Sequence, residues 1–181
     1  MSLEQLLETV PSYAKDLKLN LQNLLKQPEL TEQQTWGTVV ASTIVARNAQ
    51  LTEVLLPEAE KHLSSEAFLA AKAAAAIMGM NNVYYRFTHM VPGEKYPTIP
   101  ARLRMQIIRT HGSDAVDFEL WCIAASAINN CQACVTSHER VVLEKGLTEE
   151  AVLASVRIAA VIHALAGVFD AEAVVPTPAT V

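Results

Sequence analysis

The sequence has few residues that interrupt helices and few that carry charge. Its 181 residues include 6 glycines and 8 prolines, while aromatic residues make up 6% and charged residues 18%. Hydrophobic residues reach 51%, and alanine is prominent among them. Alanine costs least in a helix, whereas glycine and proline cost most. The composition therefore favours helices around a sizeable core, and the shortage of charge favours some surface buried between subunits.

Several classes of protein are disfavoured by what is missing. The net charge is −5 and there is no run of lysine and arginine, so we expect no nucleic-acid partner, because phosphate binding needs a clustered basic face. Residues 1–5 lack the basic and apolar regions of a secretory signal. The longest uncharged stretch, residues 120–137, contains asparagine and glutamine and would span a membrane poorly. We expect a soluble, cytoplasmic chain that does not enter a membrane.

Hydrophobic periodicity predicts an all-α fold, and no alternating strand pattern of useful length occurs. Thr31 and Gln34 fit a capping box for a helix that continues to about Arg47. Gly146 has the residue type expected just after a helix end. The predicted helical segments are 2–27 with a break at Pro11, 31–47, 50–62, a helix from Ser64 or Ser65, a resumption near 100–103, 113–128, 131–145 and 148–174. Prolines and a glycine predict a loop at about 90–100.

A weak internal repeat suggests two similar halves. Residues 63–77 and 147–161 match at seven of fifteen positions, and each segment follows a tryptophan-containing helix by a similar interval. We interpret residues 1–181 as a single helical domain. Its scaffold half covers about 1–90 and its catalytic half, which holds the cysteine pair, covers about 101–175.

The chemistry is predicted to lie in the motif C-x2-C-x3-H formed by Cys131, Cys134 and His138. With Asn130 as the expected N-cap, Cys131 takes the first helical position and Cys134 the fourth, so the three side chains share one helix face. A helix N-terminus and a nearby imidazole both favour thiolate, the form that attacks peroxides and disulfides. Cys131 lies nearer the helix start and Cys134 nearer His138, so these residues alone leave the attacking cysteine open.

Zinc is the main alternative for the same residues. Cys131, Cys134 and His138 could bind it with Glu119 as a fourth ligand, but three ligands from so short a helical segment would be cramped. A c-type haem site would need histidine where Val135 stands. A thioredoxin-like site would need a βαβ setting, which the sequence lacks.

The other candidate residues have simpler interpretations. Glu119 lies on a nearly apolar helix and has two interpretations. It is either a proton carrier that is hydrogen-bonded to His138 or to a cysteine thiol, or a carboxylate that marks the exposed start of the helix. Cys122 is expected to be an inert core thiol. The remaining histidines and the two tryptophans are assigned to the surface or the core: His62, His89, His111, His163, Trp36 and Trp121.

The sequence resembles the alkyl hydroperoxide reductase D (AhpD) family of the alkylhydroperoxidase and carboxymuconolactone decarboxylase superfamily. The family signature E-x11-C-x2-C-x3-H is met by Glu119, Cys131, Cys134 and His138. Further matching segments are spread over almost the whole chain: 11–21, 36–38, 75–86, 103–105 and 118–121. Some members have a histidine between the cysteines, where this chain has Ala133.

The resemblance implies an all-α subunit built from a duplicated helical unit and assembled as a homotrimer. It implies a peroxidase with no bound cofactor, in which Cys134 becomes a sulfenic acid, Cys131 donates a proton and then forms the disulfide, His138 is the base and Glu119 relays protons. The implied reductant is a dihydrolipoyl group on the acyltransferase of a 2-oxoacid dehydrogenase complex. A peroxiredoxin of the AhpC type is the other implied partner, and Ala133 raises the alternative of an electron carrier with little direct peroxidase activity.

Overall fold

The computed structural model describes residues 1–93 and 95–177, and within these ranges the chain is helical, with no strand. A short 3-10 helix, Ser12–Ala14, precedes α2. The α-helices are α1 (Leu3–Glu8), α2 (Lys15–Leu24), α3 (Glu32–Ala46), α4 (Ala49–Glu60), α5 (Ser65–Met90), α6 (Ile107–Thr110), α7 (Ala115–Ile128), α8 (Gln132–Glu144) and α9 (Glu149–Val174). The predicted all-α class is confirmed.

Most helix starts follow from their caps. The Thr31 hydroxyl accepts from the backbone N–H of Gln34 at 3.2 Å, and the Gln34 side chain accepts from the N–H of Thr31 at 3.0 Å, so the predicted capping box is confirmed. Ser64 and Thr148 cap α5 and α9 in the same direction, each accepting from the backbone N–H three residues on. Gly146 has φ of 94° and follows α8, as its residue type predicted.

The prediction that Asn130 caps the cysteine helix is wrong. Asn130 has φ of 54° and belongs to the end of α7, where its N–H donates to the carbonyl of Ala127 at 3.1 Å. The next N–H, that of Cys131, donates to the carbonyl of Ser126 at 3.1 Å. This pair of bonds is a Schellman motif, in which asparagine tolerates the left-handed position. The N-cap of α8 is therefore Cys131, one residue later in the sequence than the predicted N-cap.

The prediction that helices resume near residues 100–103 is also wrong. The part of the 91–106 segment that is described has no regular helix, and only the single turn of α6 forms before α7. Arg102 has φ of 52°, which a continuous right-handed helix does not allow. The predicted loop at 90–100 thus continues further and passes beside α5.

Two sets of three helices correspond along the chain. Helices α3, α4 and α5 are matched in order by α7, α8 and α9, and both α5 and α9 have 26 residues. At the start of α4, the side chain of its N-cap Asn48 accepts from the N–H of Leu51 at 2.8 Å. At the start of α8 the equivalent N-cap is Cys131, whose sulfur is bonded to that of Cys134. The second set thus carries the cysteine pair where the first carries a structural cap.

The core lies where α3, α5, α7 and α9 pack together. Trp121 of α7 is fully buried and its ring lies against Gly37 of α3, where a Cβ atom would overlap it. Its indole N–H donates to the carbonyl of Gln34 at 3.3 Å. Trp36 is also buried and stacks on His62 with ring centroids 4.2 Å apart. Both tryptophans are packing residues, as predicted.

Helix α9 has the length and hydropathy of a membrane-spanning helix, with a mean hydropathy of 2.0 in its most apolar window. Half of that window is buried inside the fold, where α9 packs on α2, α3 and α7. Core helices of soluble proteins have the same properties, so one such helix is weak evidence for a membrane. The uncharged stretch 120–137 is divided between α7 and α8 and is not one helix.

Candidate active site

The centre of the site is a disulfide between Cys131 and Cys134 at the start of α8. Their Cα atoms lie 5.4 Å apart, the N-cap and the third helical residue of one turn. Cys131 is 0% exposed and Cys134 is 6% exposed. The two sulfurs therefore differ in access, since Cys131 is sealed and Cys134 retains a small open surface.

Cys134 lines a cavity of about 350 Å³, in which Cys131 takes no part. Three elements build the cavity: α5, the segment that leads into α6, and the first turns of α8. Its walls are formed by Asn81, Tyr85, His89, Met105, Ile108, Ala133, Cys134, Ser137 and His138. The Cys134 sulfur is the reactive group that a molecule entering this cavity meets.

Glu119 forms a polar pair with His138, which lines the cavity. The Nδ1 atom of His138 lies 2.5 Å from Oε2 of Glu119, and the two side chains are 13% and 17% exposed. On its other side, the Nε2 atom of His138 lies 3.3 Å from the sulfur of Met78. Glu119 is brought to His138 because α7 and α8 pack side by side after the turn at Asn130.

In this disulfide form, neither cysteine sulfur is hydrogen-bonded to His138, although every one of these side chains is described. Cys134 and His138 are one helical turn apart and line the same cavity. The imidazole is held by Glu119 and Met78 instead. The site thus places nucleophile and base in one cavity, and their roles stay predictions.

A buried polar network holds the turn in front of the disulfide. The side chain of Asn82 donates to the Ser126 hydroxyl at 2.9 Å and accepts from the side chain of Asn129 at 2.9 Å. Arg86 donates to the carbonyl of Asn129 at 2.7 Å. Asn82 and Arg86 both lie on α5, so this helix holds in place the turn that connects α7 to Cys131.

Two ionisable groups near the site have shifted pKa values. Burial, with a smaller contribution from the Glu119 charge, raises the pKa of the Cys122 thiol well above its usual range. This agrees with the predicted inert core thiol, which is free and fully buried. Burial lowers the pKa of His111, whose ring stacks on Phe118 with centroids 4.1 Å apart, although the charges of Glu119 and Asp114 oppose the shift.

The zinc alternative finds no support in the side-chain arrangement. Across residues 1–93 and 95–177, no three or more His, Cys, Asp or Glu side chains converge as a metal site would require. The two sulfurs are bonded to each other and His138 is paired with Glu119. These donors do not share one centre.

Sequence reasoning missed the part of the cavity that α5 supplies. Asn81, Tyr85 and His89 follow one another at four-residue steps and line the cavity opposite Cys134. His89, which we predicted to lie on the surface or in the core, is exposed and also lines the cavity. The four-residue spacing was a visible signal for one shared face, but which element that face meets depends on tertiary packing.

The described part of the chain is all-helical, and its cavity is lined by one cysteine of a disulfide pair, an arrangement typical of a thiol–disulfide oxidoreductase. The sequence profile of the carboxymuconolactone decarboxylase family matches residues 94–175. An alkyl hydroperoxide reductase AhpD from Solibacter usitatus is 62% identical over 173 residues, covering 96% of this chain and 98% of the relative. AhpD of Acidobacterium capsulatum is 57% identical, with 96% of each chain covered. AhpD of Streptomyces coelicolor is 49% identical, covering 96% of this chain and 98% of the relative.

At these identities, over nearly the full length of both chains, the protein belongs to the AhpD family of alkyl hydroperoxide reductases.

Proposed function

We propose that this chain reduces alkyl hydroperoxides and hydrogen peroxide by cycling Cys131 and Cys134 between dithiol and disulfide, as part of antioxidant defence. The observation that carries the proposal is the position of Cys134, which is bonded to a sealed Cys131 and lines a cavity beside the Glu119–His138 pair. Membership of a family named for this reaction supports it.

The cycle begins when His138 takes the proton of the Cys134 thiol and Glu119 stabilises the resulting imidazolium. The thiolate attacks the terminal peroxide oxygen, so an S–O bond forms as the O–O bond breaks. The sulfur is oxidised by two electrons and Cys134 becomes a sulfenic acid. The departing alkoxide takes the proton of the Cys131 thiol and leaves as an alcohol.

The second half of the cycle forms the disulfide. The Cys131 thiolate attacks the Cys134 sulfur, and the S–O bond breaks as the S–S bond forms. The hydroxide that leaves takes the proton held by His138 and departs as water. Two thiols and one hydroperoxide thereby give one disulfide, one alcohol and one water.

Burial supports Cys134 as the attacking residue. Cys131 is 0% exposed and lies outside the cavity, whereas Cys134 lines it. Cys131 is the N-cap of α8 and so lies at the positive end of the helix dipole, which stabilises a thiolate. Cys131 is therefore suited to be the leaving group when a reductant attacks Cys134, because a more stable thiolate departs faster.

The proposed reductant is a dihydrolipoyl group carried by the acyltransferase of a 2-oxoacid dehydrogenase complex. Such a group needs an approach from outside to the Cys134 sulfur. A groove of about 900 Å³ lies along the outer side of the α8 start and includes Arg86, Phe87, Gln132 and Ala133. Ala133 also lines the inner cavity, so its small side chain separates the two spaces.

A second candidate function is electron transfer to a separate peroxiredoxin of the AhpC type with little direct peroxide turnover. Ala133 favours it, because this methyl group brings no proton donor to the cavity where some relatives have a histidine. The test is to mix the dithiol form in a stopped-flow instrument either with hydroperoxide or with oxidised peroxiredoxin. The larger of the two oxidation rate constants identifies the main function.

We further propose a homotrimer in the cytoplasm. Leu69 on α5 and Leu153 on α9 are large apolar side chains that are exposed outside the groove of the reductant, and exposed apolar surface is normally covered in an assembly. Sedimentation equilibrium tests the assembly, since a mass of one chain at micromolar concentration contradicts it.

The central test is hydroperoxide consumption with dihydrolipoamide as donor. We expect wild type to turn over, Cys134→Ser to be inactive, and Cys131→Ser to stop after one sulfenic acid per chain. Cys122→Ala is the matched control, because this buried thiol lies outside the cavity, and it should keep wild-type activity. A sulfenic acid trapped at Cys131 in Cys134→Ser reverses the assignment, and a wild type without turnover refutes the proposed reaction.

A further inference from the structure

The side-chain amide of Asn81 is buried in the cavity wall without a partner. Asn81 lies on α5, is 4% exposed, and lines the cavity together with Cys134. Its Oδ1 atom is sealed from solvent and accepts no hydrogen bond from the described part of the chain. Leaving a buried amide unpaired costs free energy, so such groups in folded proteins usually serve a ligand, a water molecule or a reaction.

The neighbouring residue shows what a structural asparagine does in the same helix. The amide of Asn82 bonds Ser126 and Asn129 and so ties α5 to the turn in front of Cys131. Asn81 makes neither kind of link. The two adjacent amides thus have different roles. Asn82 links structural elements, whereas Asn81, which lines the cavity with Cys134, makes no structural hydrogen bond of this kind.

Most other polar side chains of the cavity are already engaged, and the remaining one, Ser137, is an exposed residue. His138 contacts Glu119 and Met78, and the Tyr85 hydroxyl lies 3.7 Å from the sulfur of Met105. The Nδ1 atom of His89 lies 2.8 Å from the carbonyl of Tyr85. Asn81 therefore offers a donor and an acceptor that no neighbouring side chain has taken.

We propose that Asn81 binds the hydroperoxyl head of the substrate and points its O–O bond at the sulfur of Cys134, an assignment that rests on the proposed function. A hydroperoxide has one O–H donor on its terminal oxygen and an acceptor oxygen on the carbon side. An amide complements both: Nδ2 donates to the oxygen that leaves as alkoxide, and Oδ1, which is sealed in this structure, accepts the O–H after the amide rotates toward the cavity.

The rest of the wall indicates the substrate class. Met105, Ile108 and Ala133 supply an apolar surface in the same cavity, and a volume of about 350 Å³ holds only a small organic group. The preferred substrates are therefore organic hydroperoxides with a compact apolar group, and Asn81 acts on the head that they share with hydrogen peroxide.

The test separates substrate binding from thiol activation. Reduced wild type, Asn81→Ala and Asn81→Leu are each oxidised by cumene hydroperoxide in a single turnover, and the same proteins are alkylated by iodoacetamide over a range of pH. We expect oxidation to slow by about tenfold or more, the effect of one lost hydrogen bond in the transition state. We expect alkylation rates to be unchanged at every pH, because the Cys134 thiolate is not altered.

Asn81→Leu keeps the branched shape of the side chain and leaves no cavity, so it serves if the smaller variant does not fold, and circular dichroism checks both. Asn23→Ala is the matched control, since Asn23 is exposed on α2 outside the cavity. Equal slowing of oxidation and alkylation overturns the assignment, because the amide then acts on the thiol. Unchanged oxidation overturns it as well. If wild type itself does not react with hydroperoxide, the failure lies with the proposed function.

Discussion

Oε2 of Glu119 lies 2.5 Å from Nδ1 of His138, and this contact joins α7 to α8 beside Cys134. The carboxylate fixes the orientation of the ring. The same contact leaves Nε2 facing the sulfur of Met78, which is a weak acceptor.

Glu119→Gln should slow peroxide turnover on the order of 100-fold, because the amide cannot stabilise an imidazolium on His138. The loss should appear in kcat/KM across the pH range in which wild type is active, with the melting temperature little changed. Glu144→Gln is the control, since Glu144 is exposed at the end of α8, the helix that carries His138. Equal kcat/KM values for Glu119→Gln and wild type would remove Glu119 from the proton path.

Two helical glycines should respond in opposite directions to alanine. A Cβ atom at Gly37 would overlap the ring of Trp121, whereas at Gly79 it would meet nothing within 4 Å. Gly37→Ala should lower the free energy of unfolding by about 3 kcal/mol through overpacking. Gly79→Ala should raise it by about 0.5–1 kcal/mol, because alanine is the better helix former. Urea unfolding of both variants checks the pair, and a stable Gly37→Ala contradicts the packing described here.

The Cys122 thiol should resist alkylation in the folded protein. Burial raises its pKa well above the usual range, so little thiolate forms at pH 8 and the reagent has no access. Mass spectrometry of reduced protein treated with iodoacetamide should show label on Cys134 and none on Cys122. The label should reach Cys122 in urea, and early labelling of Cys122 without denaturant would be inconsistent with its burial.

Stability should fall as the solution becomes acidic, in part through His111. Its folded pKa lies below the ordinary value because the ring is buried on Phe118. The unfolded chain therefore binds this proton first. The contribution to stability is complete above about pH 6.5 and is lost as pH falls through the folded pKa, with a slope of at most about 1.4 kcal/mol per pH unit.

His111→Gln should reduce the pH dependence of the melting temperature between about pH 7 and pH 5. His163→Gln is the control, because His163 is exposed on α9. A steeper acid dependence in His111→Gln than in wild type would give the opposite sign for this linkage.

Local signals predicted the helices well because each is set by residues close in sequence. The capping box of Thr31 and the left-handed Gly146 both follow from chemistry within a few residues. Asn130 shows the limit of such signals. Asparagine is favoured both as an N-cap and in the left-handed position after a helix. Because the link between α7 and α8 is short, Asn130 takes the left-handed position.

The cavity could be predicted only on its α8 side. The spacing of Cys134 and His138 follows from one helix, whereas the opposite wall depends on how α5 crosses α8. No sequence pattern indicates which residues surround Asn81, so its place in the cavity wall can be recognised only when the helix packing is known. The segment after residue 90 lacks periodicity, and the sequence therefore did not predict that Met105 and Ile108 would complete the wall.

The correspondence between Asn48 and Cys131 has a consequence for the redox cycle. In the first set of helices a hydrogen bond from Leu51 to Asn48 fastens the opening turn of α4 permanently. In the second set the first turn of α8 is held by the bond between Cys131 and Cys134, which the proposed cycle makes and breaks. Under that proposal, reduction releases the first turn of α8 and peroxide restores the bond, so we expect hydrogen exchange at these amides to report the oxidation state of the chain.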